Sequence, residues 1–321
     1  MKPPKVTPPI ACLTDEDRSK KPLKQLAASI ERYTTLQNRK VMMFVRNAER
    51  VDRVFPEWIH QNFTDTGEYY PDDLNLPPRI FTRPEGPGGY IDDSPITEIG
   101  ALNSEMIGKA LRRHEVWPLT SIICSPSLRC VQTASAIIKG IHRPAEICIE
   151  PGLFDWCHWY KAMPSLLSVE ELIRCGYPVS ANYAPVKPLS EVISFAGHES
   201  IEHFYERVRS VVEHLTGVSD RILIVAHATV LDASLKALRR CSPRLITEND
   251  MLHMGSHYPY ACEVTLALNQ GAWNFVHEPF APLSYLGVSN RVNAKFVNRT
   301  TKPKTATHEK QKEVKKPTAN A

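Results

Sequence analysis

Residues 222–228 read Ile-Leu-Ile-Val-Ala-His-Ala: five apolar residues in a row, closed by a histidine. Apolar character that is continuous rather than alternating marks a strand covered on both faces, as in a mostly parallel sheet. Three further runs share it, at residues 41–45, 121–124 and 147–149. Helical patterns fall between them. Thr97 is placed to cap a helix over residues 97–113 that ends in basic residues, with Leu102, Met106, Ala110 and Leu111 as its apolar stripe. Residues 128–140 end on Gly140, residues 199–215 put Ile201, Phe204, Val208, Val211 and Leu215 on one face, and residues 230–238 form a fourth apolar helix. Strand alternating with helix predicts an α/β domain, whose ligands bind in the crevice at the carboxyl ends of the strands.

The rest of the chain is consistent with one such domain. It has 321 residues, with 39 Lys and Arg against 35 Asp and Glu. Residues 1–40 carry nine basic against four acidic side chains, and residues 295–321 carry eight against two. The excess of positive charge therefore lies at the ends, and no basic face is implied for the core, which argues against nucleic acid as a partner. Residues 1–38, rich in proline and lysine, are expected to form a flexible arm, residues 39–290 the folded domain, and residues 291–321 a disordered basic tail. The eight cysteines show no CxxC pair and no zinc spacing, which suits free thiols in a reducing compartment. His253 and His257 are four apart, but Gly255 and Ser256 disfavour a helix there; neither a metal nor a cofactor is called for. No apolar run approaches the roughly 18 residues of a membrane span, and no signal peptide opens the chain, so a cytoplasmic or nuclear location is expected.

The chemistry lies after the strands. Arg46-Asn47-Ala48-Glu49-Arg50 follows the first, Ser125-Pro126-Ser127-Leu128-Arg129 the second, Glu150-Pro151-Gly152-Leu153-Phe154-Asp155 the third, and His227 the fourth. Taken singly, each is most simply a surface arginine, a capping aspartate or a core histidine. Their recurrence at one sheet edge changes that reading: three guanidinium forks beside an imidazole and a carboxylate describe an oxyanion pocket. Trp156 and Trp159 follow the carboxylate, as core residues or as a wall of that pocket.

The stretches FVRNAERVDRVF (44–55), SPITEIG (94–100), CSPSLRCVQTA (124–134), EPGLFDW (150–156) and ILIVAHA (222–228) resemble the histidine phosphatase superfamily. The likeness is to the phosphatase domain of the TULA proteins, the suppressors of T-cell-receptor signalling, and of ecdysteroid-phosphate phosphatase. It covers residues 41 to about 285 in order. The resemblance implies a phosphoglycerate-mutase-like, three-layer α/β/α sandwich. It implies that Arg46, Arg50, Arg129 and His227 bind phosphate, that Asp155 stands at the general-acid position, and that the assembly is a homodimer. Nothing in the chain resembles the ubiquitin-binding or SH3 modules of TULA proteins, so it looks like the phosphatase domain alone.

Asn47 departs from the family pattern, which has at this position the histidine that attacks phosphorus. That step needs a free ring-nitrogen lone pair; an amide nitrogen has delocalised its own into the carbonyl. By analogy with hydrolases stripped of their nucleophile, a loss of about a millionfold is expected. The resemblance therefore implies a regulatory pseudophosphatase that binds a phosphate monoester or phosphotyrosine. The alternatives are a weak phosphatase using water or His227, and an interaction module acting through its tails.

Overall fold

The computed structural model describes residues 39–113, 121–241, 246–276 and 279–297. The arm expected over residues 1–38 lies outside them, as does the tail from residue 298. Six strands form one sheet in the order β3-β2-β4-β1-β5-β6. The strands β1 (Val41–Arg46), β2 (Ser121–Cys124), β3 (Ile147–Ile149) and β4 (Arg221–Ala226) run parallel. The remaining two, β5 (Glu263–Asn269) and β6 (Ala272–Val276), are antiparallel additions that the sequence reading did not anticipate.

Helices cover both faces. On one side α1 (Glu98–Arg113) and α2 (Leu128–Ile141) pack over Met43, Val45, Ile122, Leu223 and Val225. On the other, α3 (Ile201–Val218), α4 (Ala228–Leu238) and α5 (Glu248–His257) pack over Met42, Phe44, Ile222 and Ile224. Successive residues of β1 and β4 thus feed opposite cores, which is why both runs are continuously apolar.

The α1 stripe differs from the expected one. Leu102 and Met106 are exposed, and the buried face is Gly100, Ser104, Ile107, Gly108 and Leu111. The cause is a close helix crossing: a Cβ on Gly108 would come within 2.1 Å of the Ile137 carbonyl, and one on Gly140 within 2.1 Å of the Glu105 carbonyl. A glycine that allows such an approach carries no hydrophobic signal. Thr97 caps α1 as expected, its hydroxyl accepting from the Gly100 N–H at 2.9 Å. The region of His253 and His257 is also corrected. Both lie on α5, where Thr247 and Asp250 form a reciprocal capping box that offsets the poor propensity of Gly255 and Ser256. His253 bonds the Asn249 carbonyl and His257 stacks on Phe296. Residues 294–297 form a short helix α6 (Ala294–Val297), and Arg239 donates to the Val297 carbonyl. Among the described residues, no helix is long and apolar enough to cross a membrane.

Candidate active site

The parallel register brings the carboxyl ends of β1, β2, β3 and β4 to one edge: Arg46 pairs with Ala226, Cys124 with Val225 and also with Ile149. A cavity of about 820 Å³ opens there, lined by Arg46, Asn47, Arg50, Arg129, Asp155 and His227. All six residues singled out from sequence meet in it. Two helices enter by their first turns: α2 supplies Arg129, and α4 supplies Ala228 and Thr229 directly after His227. Helix N-termini favour anions.

Asn47 is 3% exposed and fixed at its backbone, whose N–H donates to the Ala226 carbonyl at 2.8 Å. Its side-chain Nδ2 donates to the Ala48 carbonyl at 2.9 Å. Arg129 is 1% exposed, with Nη2 at 3.3 Å from both the Tyr160 hydroxyl and His227 Nδ1. Its Nε and that of Arg46 are buried without a partner. Arg46 donates through Nη1 to the Gly255 and Tyr258 carbonyls and lies 3.9 Å over the Tyr260 ring. Arg50 is not free: it grips Asp52 with Nε at 2.9 Å and Nη2 at 2.6 Å.

His227 is held between Ser125 Oγ, 2.8 Å from Nε2, and Arg129. Because a guanidinium only donates, Nδ1 takes the acceptor role and Nε2 carries the proton toward Ser125. Burial drives its pKa down to about 3, the Arg129 charge adding to the effect against the opposing pull of Asp155. The ring is therefore neutral at physiological pH.

Asp155 is 7% exposed. Its Oδ1 accepts from Thr229 Oγ1 at 2.6 Å and from the Trp156 N–H at 3.0 Å. Its Oδ2 lies 3.6 Å from Arg129 Nη2 and 3.5 Å from His227 Nδ1. Burial pushes the carboxyl pKa up, but His227, Arg129 and these two hydrogen bonds outweigh it and hold the pKa below the ordinary range. The Arg129 guanidinium, with Nη2 3.6 Å from Oδ2, is the permanent positive charge beside the Asp155 carboxylate. A general acid needs a proton to give; this group holds none at pH 7.

The loop that carries Asp155 is secured by residues that sequence reasoning missed. Glu199, read as the first residue of a helix, precedes the Ser200 cap of α3 and pairs with Arg207 at 2.7 Å. Arg207 in turn donates to the carbonyls of Gly152, Phe154 and Asp155. Glu150 accepts from the N–H groups of Gly152, Val186 and Lys187 and from the Tyr183 hydroxyl. Trp156 is core, its Nε1 bonded to the Glu199 carbonyl, whereas Trp159 lines the cavity. The loop over residues 56–93 also gains an anchor: Asp93 pairs with buried Arg83 and accepts the Leu128 N–H at the start of α2, next to Arg129. Polar residues whose partners lie far along the chain leave no periodic signal, so only the folded geometry reveals them.

Residues 85–276 match the histidine phosphatase superfamily, branch 1. The matched stretch begins after β1, so Arg46, Asn47 and Arg50 lie outside it. Among curated proteins, the chain is 35% identical over 253 residues to an ecdysteroid-phosphate phosphatase of Drosophila melanogaster, covering 78% of this chain and 33% of that protein. It is 31% identical over 255 residues to the human ubiquitin-associated and SH3 domain-containing protein B, covering 77% of this chain and 39% of that protein. The chain thus spans well under half the length of these relatives. The crystal structure of the Bombyx mori ecdysone phosphate phosphatase in complex with tungstate superposes with a TM-score of 0.66 at 25% identity, over 81% of this chain and all of that one. The family match over residues 85–276, together with the curated relatives, shows that the chain belongs to the histidine phosphatase superfamily.

Proposed function

We propose that this chain is a pseudophosphatase with a regulatory role: it binds phosphate monoesters and turns them over slowly or not at all. The observation that carries the reading is Asn47, an amide at the end of β1 on the floor of a cavity otherwise equipped with Arg46, Arg129 and His227. A carboxamide cannot supply the attacking lone pair. The cavity is polar below and apolar at its mouth, where Val54, Trp159, Leu252, Tyr285 and Val288 are exposed. Tungstate, bound in the Bombyx mori relative, is a tetrahedral oxyanion of the kind such a floor suits. A weak phosphatase using water or His227 is less well supported. Asp155 holds no proton to donate, and both ring nitrogens of His227 are engaged, Nε2 by Ser125 and Nδ1 by Arg129.

The test is hydrolysis of phenyl phosphate by the purified chain beside its Asn47→His variant. A silent parent and a variant faster by about a thousandfold or more would support the proposal. Parent turnover equal to that of the variant would overturn it. Silence in both, with phosphate leaving the melting temperature unmoved, would favour an interaction module instead.

A further inference from the structure

The fixed charges on the cavity floor do not balance as they would around a fully ionised phosphate. Arg46, Arg50 and Arg129 bring three positive charges and Asp155, beside Arg129, one negative; Asp52 does not line the cavity, but its two bonds to Arg50 neutralise that arginine. At the rim Glu49 and Arg53 offset each other. The groups facing Asp155 from each neighbouring element supply nothing more. From α2 come Arg129 and Cys130, from α4 and its cap come Thr229 and His227, and Arg46 stands at the end of β1. Arg207 of α3 is already neutralised by Glu199. Burial pushes the thiols of Cys130 and Cys157 and the Tyr160 hydroxyl up to about 12, so all three stay uncharged. One net positive charge remains.

We infer that the site accepts a tetrahedral oxyanion carrying a single negative charge, either a singly protonated phosphate monoester or a sulfate monoester, in preference to the phosphate dianion. This rests on the phosphate-binding reading above and specifies its charge state. A dianion would leave one negative charge uncompensated in a buried site, beside the Asp155 carboxylate, and an unpaired buried charge is costly. A protonated ester instead offers an O–H to Asp155 Oδ2, whose present neighbours stand at 3.5 and 3.6 Å, too far for good hydrogen bonds.

The experiment is titration calorimetry of the full chain with phenyl phosphate and with phenyl sulfate at pH 6, 7 and 8. Above the ester's second pKa of about 6, the singly charged fraction falls about tenfold per pH unit, and the affinity for phenyl phosphate is expected to fall with it. Equal or tighter binding of phenyl phosphate at pH 8 overturns the inference. Phenyl sulfate keeps one charge throughout and locates the proton. Constant affinity places the proton on the ester; no binding of the sulfate, or a fall parallel to that of the phosphate, which places the proton on the protein, overturns the inference. In Asp155→Asn the pH dependence should disappear and the affinity at pH 8 should rise; if the variant does not fold, the parent comparison still decides. No heat with either compound at any pH would defeat the phosphate-binding reading itself.

Discussion

Arg207 and Arg129 each face a carboxylate inside this molecule, and the two pairs are completed to different degrees. Arg207 meets Glu199 at 2.7 and 2.9 Å, and its other donors reach the Gly152, Phe154 and Asp155 carbonyls. Glu199 also accepts the Cys157 N–H at 2.9 Å. At Arg129 every polar contact is 3.3 Å or longer, and Nε has no partner. The first pair spends its hydrogen-bonding capacity on holding a loop. The second leaves donor capacity unused beside a cavity.

That contrast is broken or sharpened most directly by removing each arginine. Arg207→Ala strands Glu199 in the core and is expected to cost about 3–5 kcal/mol, read from urea unfolding. Arg129→Ala should cost less, about 2 kcal/mol, because Asp155 borders a cavity that water can enter. It should nevertheless abolish phenyl phosphate binding, which Arg207→Ala would only weaken. Equal stability losses would show that the two pairs are both structural.

The pH dependence gives a smaller signal. His227 has a folded pKa near 3, below its unfolded value of about 6.5, so the unfolded chain binds the additional proton between them. Its contribution is complete above pH 6.5 and is lost as pH falls toward 3. Unfolding free energy should drop by about 2 kcal/mol between pH 6.5 and 5. A His227→Gln variant should flatten this slope; an unchanged slope would assign it to other groups.

The smallest effect is at the cavity mouth. The hairpin of β7 (Ser284–Tyr285) and β8 (Val288–Ser289) turns through Leu286 at φ +47° and Gly287 at φ +78°. Leucine tolerates the left-handed region poorly, and Leu286 is 84% exposed, so no packing repays the strain. Leu286→Asn should stabilise the chain by about 1 kcal/mol, measured by thermal unfolding.

The parallel strands were legible because both faces of β1 and β4 are buried, and the six residues at their ends were legible because the register aligns those ends. What stayed hidden has physical causes. The antiparallel pair β5 and β6 lies at the sheet edge, and β6 is half-exposed and mixed in character. The buried face of α1 gives a weak apolar signal because Gly108, and Gly140 facing it on α2, sit where apolar residues would ordinarily mark the contact. The state of Arg50 depends on Asp52, and that of Asp155 on Arg129 and Thr229, pairings that only the folded distances settle.

The placement of β1 has a consequence for how the molecule comes into being. Val41 pairs with Arg221 on one side and with Ala267 on the other, so the central strand has neighbours only from far down the chain. Contacts of such high sequence separation slow folding. During synthesis, Arg46 and Asn47 remain without their sheet neighbours until β4 and β5 have followed. Until β5 has been made, Asn47 follows a strand that still lacks one of its two neighbours.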